Sequence, residues 1–396
     1  MTYLFLVMMT VTGTLTTACS SDDEPATPVQ KANTLTVEAG MSDNITRALA
    51  DAGTTLTATW AADDVVEVFE GSTHLGRLRP QTYGNATTKL TGVLDAAPSA
   101  SGVTLTLRYK YVSDYSLQNG TLANISSNYN YCVATTTVTQ SGNQYSGTAA
   151  NFVSQQAIVK FTLKKKSDES VIKAKTMNIV GTPTLNMDLT PNDDGIYYIA
   201  LPACTDQTFQ ISVTDNDGNN TPYAIETPST TFEAGMFYRR NVLFTYNEIY
   251  NFRSSTGYPV EAGHHALCKG TNGSGSKLTL KEGSTATLDG LTLLSPSDAS
   301  GIECTGDATI ILKDGTTNTI EGAVAQAVVV ASDKTLTIRG TGTLTLTGYN
   351  GGKAVSGKVK IDDNEVDGNK DDGTYPYTNL QLEVSDSGNK WVISKK

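Results

Sequence analysis

From residue 33 onward, apolar side chains recur at every second position in short runs. "NTLTVEA" (33–39) sets Leu35, Val37 and Ala39 on one face and Thr34, Thr36 and Glu38 on the other, which predicts a half-buried β-strand. The same period runs through "TLTATW", "DVVEVFE", "GVTLTLRY", "YCVATTTVT", "AIVKFTL", "GIYYIAL", "FQISVTD" and "NVLFTYN", each bounded by Gly, Asn or Asp. "NDDG" (192–195) and "DNDG" (215–218) read as hairpin turns, because Asp, Asn and Gly accept left-handed backbone. "DNDG" also has the look of a calcium loop, and the turn reading is preferred. Many short strands separated by turn signals predict β-sandwiches across residues 33–247.

The pattern changes near residue 250. "LTLKEGSTATLDG" (278–290), "IILKDGTTNTIEG" (310–322) and "LTIRGTGTLTLTG" (336–348) align with one another, at offsets of 32 and 26 residues (310 − 278 and 336 − 310). A fourth copy begins at "VKI" (359–361). Repeats of this size, built from apolar-Thr-apolar triplets and Gly turns, predict a solenoid whose coils bury one another's apolar faces. A right-handed parallel β-helix is expected over 250–396. Its end would be capped by the hairpin "YTNLQLEVSDSGNKWVISKK", with Trp391 over the last coil, because an open end invites edge pairing.

Composition narrows the class. The 396 residues suffice for two or three domains. Only 17% are charged, Thr, Gly, Asn and Ser abound, and the net charge is −11 without a basic cluster, so nucleic acid is not expected as a partner. The five cysteines (Cys19, Cys132, Cys204, Cys268 and Cys304) are far apart, which argues against a structural zinc site. Cys268 and Cys304 either pair or act as small buried hydrophobes.

The N-terminus is distinct. "YLFLVMM" (3–9) is apolar but far short of the ~20 residues that span a bilayer, so it suits a secretory leader. Thr17 and Ala18 then precede Cys19. The stretch resembles a lipobox, in which the leader is cut before a cysteine whose thiol takes diacylglycerol. Two features depart from that pattern: "MT" carries no basic residue, and Thr16 stands where Leu is usual. Ser20, Ser21, Asp22, Asp23 and Glu24 follow, and resemble the signal that sends lipoproteins of certain Gram-negative anaerobes to the outer face of the outer membrane. "SSDDEPATPVQKAN" otherwise reads as a solvated linker.

Three stretches carry a further resemblance. They are "TWAADDVVEVFE" (59–70), "NFVSQQAIVKFTLKK" (151–165) and "FEAGMFYRRNVLF" (232–244). In that order and spacing they resemble the fimbrillin-like family, the pilin and adhesin precursors of the type V pilus. The resemblance implies two successive transthyretin-like β-sandwiches. It also implies tryptic-type maturation after an arginine near the first strand. Arg47 is the first arginine of the chain and the only one before Arg77. Cutting at Arg47–Ala48 would remove strand 33–40 and expose a slot for a strand from another pilin subunit. The alternative is an uncut, monomeric surface protein. The repeat region in turn resembles carbohydrate-binding β-helix modules on surface proteins of the same bacteria. Related β-helices occur in polysaccharide lyases.

The expected class is therefore all-β: two transthyretin-like β-sandwich domains followed by a short right-handed parallel β-helix. The expected organisation is a signal peptide over 1–18, a lipidated acidic linker over 19–32, sandwiches over 33–155 and 156–249, and the β-helix module over 250–396. Lys281, Lys313 and Arg339 hold equivalent places in the aligned repeats, so they are expected to form a ladder on one outer face. Such a ladder is the ordinary pattern of a solvated surface and a candidate contact for an anionic glycan. "IDDNEVDGNKDDG" (361–373) lacks the closing Glu of a calcium loop, having Thr374 there, and reads as an acidic turn. His264 and His265 are neighbours on an extended chain and point to opposite faces. No cofactor, metal or catalytic role is expected. The chain reads as a surface-exposed outer-membrane lipoprotein and fimbrillin-like adhesin, with a monomeric glycan-binding lipoprotein as the alternative and a lyase-like enzyme behind both.

Overall fold

The computed structural model describes residues 32–41, 50–51, 56–57, 59–253, 257–272, 275–323, 326–368 and 370–396. These residues are almost entirely β, with one short helical stretch at 122–129.

Seven strands form the first unit: β1 (Thr34–Met41), β2 (Val66–Glu70), β3 (Thr73–Pro80), β4 (Thr87–Val93), β5 (Thr104–Tyr109), β6 (Cys132–Ser141) and β7 (Gln144–Ser154). The expected pair of separate sheets is joined into one closed barrel, in the order β1-β4-β3-β2-β5-β6-β7. Closure comes from β1, which runs antiparallel to β4 and parallel to β7. The core gathers the alternate residues of every strand around Trp60, whose indole meets Tyr109 and Phe152 edge-on at centroid distances of 5.9 and 5.5 Å. The buried Asp64 carboxylate accepts from the Tyr109 hydroxyl at 2.9 Å and from the Ala61 amide at 2.7 Å, which satisfies a charge that burial would otherwise penalise.

The pairing changes partners at Gln155. The next strand, β8 (Gln156–Lys165), is the middle of a three-stranded sheet with β11 (Ile196–Pro202) and β14 (Phe237–Phe244). A second sheet holds β10 (Leu185–Asp188), β9 (Ala174–Val180), β12 (Gln210–Asp215) and β13 (Pro222–Glu226) in that order. Their inner faces share one apolar core. Residues 118–129 of the first unit lie on β11. The buried Gln118 side chain accepts from the Ala200 amide at 2.6 Å and donates to its carbonyl at 2.9 Å, so the two units are tied by hydrogen bonds as well as by apolar contact.

Beyond Tyr246 the strands run parallel and stack. One sheet contains Gly257–Val260, Lys277–Leu280, Ile302–Cys304, Val328–Val330 and Val355–Ser356 in succession. The other contains Glu248–Asn251, His265–Asn272, Thr285–Leu294, Ala308–Leu312, Thr335–Gly340 and Lys358–Ile361. Aliphatic residues of both sheets form one core. Paired positions lie 18 to 28 residues apart, as in Ile249↔Leu267 and Ile310↔Ile338. Tight corners hold the stack together: a Cβ on Gly340, whose φ is +109°, would lie 2.2 Å from the Leu312 carbonyl oxygen. The end of the stack is paired rather than open. The strand Lys390–Lys395 adds antiparallel to Thr343–Thr347, Leu380–Ser385 folds back on it, and Trp391 is fully buried opposite Leu346.

Candidate functional site

The first strand is the most informative place in the chain. In β1, Leu35, Val37, Ala39 and Met41 are buried, while Thr34 and Thr36 are half-buried and Glu38 is exposed. The register against β4 sets Val37 opposite Leu90 and Ala39 opposite Thr88. Against β7 it sets Leu35 opposite Tyr145, Val37 opposite Gly147 and, after a bulge, Ala39 opposite Ala150. The bulge residue Thr148 is held from outside the β1–β7 ladder. Its carbonyl accepts from Thr136 Oγ1 at 2.7 Å and its hydroxyl accepts from the Thr137 amide at 3.0 Å. Further bonds fix the ends of β1, from Thr34 N to the Asn143 carbonyl (3.0 Å) and from Met41 N to the Ala86 carbonyl (3.1 Å).

One strand thus fills two roles. It completes hydrogen bonding to neighbours on both sides, and it plugs the core with four apolar side chains. Without it, β4 and β7 would each present a free edge, with an apolar slot between them, the arrangement an incoming strand recognises. Alternation, read from sequence, correctly gave Leu35, Val37 and Ala39 as the inward face. It did not give Met41, or the closeness that Gly147 allows.

The remaining sequence-derived residues are distributed as follows. Cys19, Ser20, Ser21, Asp22, Asp23, Glu24, Arg47 and Ala48 lie outside the described residues. Lys281, Lys313 and Arg339 do not form the expected ladder. Lys281 follows a strand of the first parallel sheet, whereas Lys313 follows, and Arg339 lies within, strands of the second. The aligned copies were out of phase: Leu278 stacks on Ile302, and Ile310 stacks on Ile338 rather than Leu336. Each cation also has its own carboxylate, with Lys281 on Glu261 (2.7 Å), Lys313 on Asp289 (2.6 Å) and Arg339 on Asp363 (2.6 Å).

The acidic run at 361–373 opens as a hairpin. Asp362 and Asp363 occupy its turn at φ +47° and +69°, and Asp362 Oδ2 accepts from the amides of Asn379 and Leu380. No group of three or more His, Cys, Asp or Glu among the described residues is arranged to hold a metal. The adjacent histidines part as expected: His264 Nδ1 meets Glu248 Oε1 at 2.6 Å, and His265 Nε2 meets Thr287 Oγ1 at 2.8 Å. Burial holds the His265 pKa below the usual imidazole range and raises that of Glu248, the latter against the opposing pull of its bond to His264. Cys268 and Cys304 are free thiols, on different sheets. Burial raises both, Cys304 to about 11.

No family model matches the chain, and no curated protein matches it. Solved structures do. A candidate cell adhesion protein of Bacteroides ovatus is 15% identical, with a TM-score of 0.34, over 54% of this chain and 95% of that one. A second, from Bacteroides uniformis, is 12% identical with a TM-score of 0.34, over 53% and 93%. The major pilin T3.2 of Streptococcus pyogenes is 10% identical with a TM-score of 0.12, over 53% and 98%. Among the described residues, no helix is long and apolar enough to cross a membrane.

Proposed function

We propose that the chain is a surface-exposed, fimbrillin-like adhesin of the outer membrane, anchored through a lipid on Cys19 and matured by cleavage at Arg47–Ala48. The observation that carries this reading is the two-sided seating of β1. A strand with buried residues at 35, 37, 39 and 41 is joined to the rest of the barrel through a segment that contains the first arginine of the chain. Cleavage there would leave β1 held by hydrogen bonds and packing alone. Its departure would open a place for the strand of another pilin subunit. The parallel stack that follows is read as a right-handed β-helix and non-catalytic contact head. In this order of parts the chain accepts a strand and lends none, which suits the tip of a fibre.

N-terminal sequencing of the protein recovered from the cell surface tests this reading. A mature chain starting at Ala48 supports it. A lipidated Cys19 followed by residues 20–47 overturns maturation and leaves the second reading, a monomeric glycan-binding surface lipoprotein. The completeness of the barrel with β1 in place favours that alternative, since the uncut chain leaves no slot to fill. Contact of Lys281, Lys313 or Arg339 with an anionic glycan would require each to leave its carboxylate. Binding of glycans and host proteins to the full chain, compared with a variant cut back to Tyr246, tests the head.

A further inference from the structure

Between the two sheets of the second unit lies a solvent-connected cavity of about 260 Å³. Its walls are apolar, supplied by Phe161 of β8, Ile179 of β9, Ile211 of β12, Val242 of β14 and the ring of Phe232. The sequence of β14 explains why space remains there. Val242 and Phe244 are buried, and strand alternation sets Arg240 on the same side of β14, although the Arg240 side chain itself is exposed at the edge of the layer. The parallel register agrees, placing Arg240 beside Phe161, whose ring is in the core.

An inward strand position between packed sheets ordinarily carries an apolar side chain that fills the layer. Arg240 does not fill it. Its guanidinium lies over the rings of Tyr238 and Phe232, 5.3 and 6.0 Å from their centroids, and Nη1 donates to the Arg239 carbonyl at 3.1 Å. No ion pair joins it to a carboxylate among the described residues. An apolar hollow with one unneutralised cation at its mouth is complementary to an amphipathic anion.

The shape selects a compact ligand over a strand. The connection from Thr227 to Phe232 lines the cavity, and the chain just beyond β14 is bonded back to β13 through Ala224 and Tyr246 (2.7 Å). The gap is therefore not a channel running the length of the sheets. Its volume corresponds to about nine water-sized units of ~30 Å³ each. We propose that this cavity binds a medium-chain aliphatic carboxylate of about ten carbons, with the chain among the apolar side chains and the carboxylate on Arg240. This inference does not depend on strand exchange or on surface location.

Calorimetric titration of the full chain with decanoate, and with decanol as its uncharged counterpart, tests it. Decanoate is expected to bind saturably at a single site. Arg240→Gln should weaken decanoate by roughly tenfold or more and leave decanol unchanged, because it removes a charge-assisted contact only. Arg240→Leu should extend the apolar wall over the mouth of the hollow, raise the melting temperature of the ligand-free protein and weaken decanoate at least as much as Arg240→Gln. Should that variant fail to fold, Ile211→Phe narrows the same hollow and is expected to weaken decanoate and decanol alike. No saturable decanoate binding by the folded wild-type chain, or undiminished binding by Arg240→Gln, overturns the proposal.

Discussion

Gly147 stands opposite Val37 in the parallel ladder between β7 and β1, and a Cβ at position 147 would come within 2.8 Å of Val37 Cγ2 and 2.4 Å of Thr136 Oγ1. Both neighbours are held: Val37 is fully buried, and Thr136 is buried and bonded to the Thr148 carbonyl. The first strand can seat only because residue 147 has no side chain. Gly147→Ala should therefore destabilise the uncut barrel by about 1–3 kcal/mol, the usual cost of forcing a methyl into a packed core. Urea unfolding followed by tryptophan fluorescence, with Trp60 in the barrel core, measures it. Wild-type stability in this variant would show that β1 is not packed as described.

The same packing predicts the behaviour of a severed strand. With a site-specific protease sequence placed over residues 44–49, cutting should leave β1 bound until competed. A labelled peptide of residues 33–41 should then exchange into the slot, and a peptide with Leu35→Asp should not, because that change puts a charge where the barrel buries an aliphatic side chain. Fluorescence anisotropy follows both. Equal uptake of the two peptides would mean that the apolar register does not direct insertion.

How far the sequence disclosed these features depends on what alternation encodes. It identifies which side of a strand faces inward, so Leu35, Val37 and Ala39 were legible. It is silent on what lies beside a strand, so closure of the barrel through β1 was not. In the C-terminal repeats each coil contributes apolar-Thr-apolar triplets to two sheets. Triplets of different sheets look alike, and Leu278 was matched to Ile310 across sheets. One stretch of the alignment does match strands of the same sheet: Thr319 lies over Thr345 and Ile320 over Leu346. The carboxylates that neutralise Lys281, Lys313 and Arg339 come from other coils, 20 to 24 residues away in sequence, as with Lys281–Glu261 and Lys313–Asp289. Local reading does not reach them. Arg240 was within reach, since "FYRRNVLF" places an arginine in phase with Val242 and Phe244.

Thiol reactivity follows from burial. Cys132, Cys268 and Cys304 are buried, and the thiol pKa is raised in each, to about 12 at Cys132; Cys204 is half-buried. Because the thiolate is the reactive form, an alkylating reagent at pH 8 should, among the four described cysteines, label Cys204 first and the other three only on unfolding. Peptide mapping by mass spectrometry after timed labelling reads the order. Rapid native labelling at Cys268 or Cys304 would contradict the packing of the coil core.

The junction between the second unit and the parallel stack should respond to mild acid through His265. Its Nε2 bonds Thr287, its ring meets Tyr246 edge-on at 4.9 Å, and burial holds its pKa below the unfolded value of 6.5. Above pH 6.5 the residue is neutral whether folded or not, so it exerts no pull. As pH falls through 6.5 the unfolded chain takes a proton that the folded chain resists, and stability is lost until the folded pKa is passed. Glu248 acts with the opposite sign. Its raised pKa means that the folded form takes up its proton first, so acidification relieves a cost present at neutral pH. Its partner is His264, not His265, and the two effects are separable by substitution. His265→Gln keeps a group that can bond Thr287 but removes the titration. The variant should lose less stability than the wild type as pH is lowered through 6.5, while Glu248→Gln should instead remove the opposing gain, which sets in as pH falls toward the raised Glu248 pKa. Thermal unfolding of the three proteins across that fall in pH decides it, and parallel curves for wild type and His265→Gln would exclude His265 as the source of any acid sensitivity.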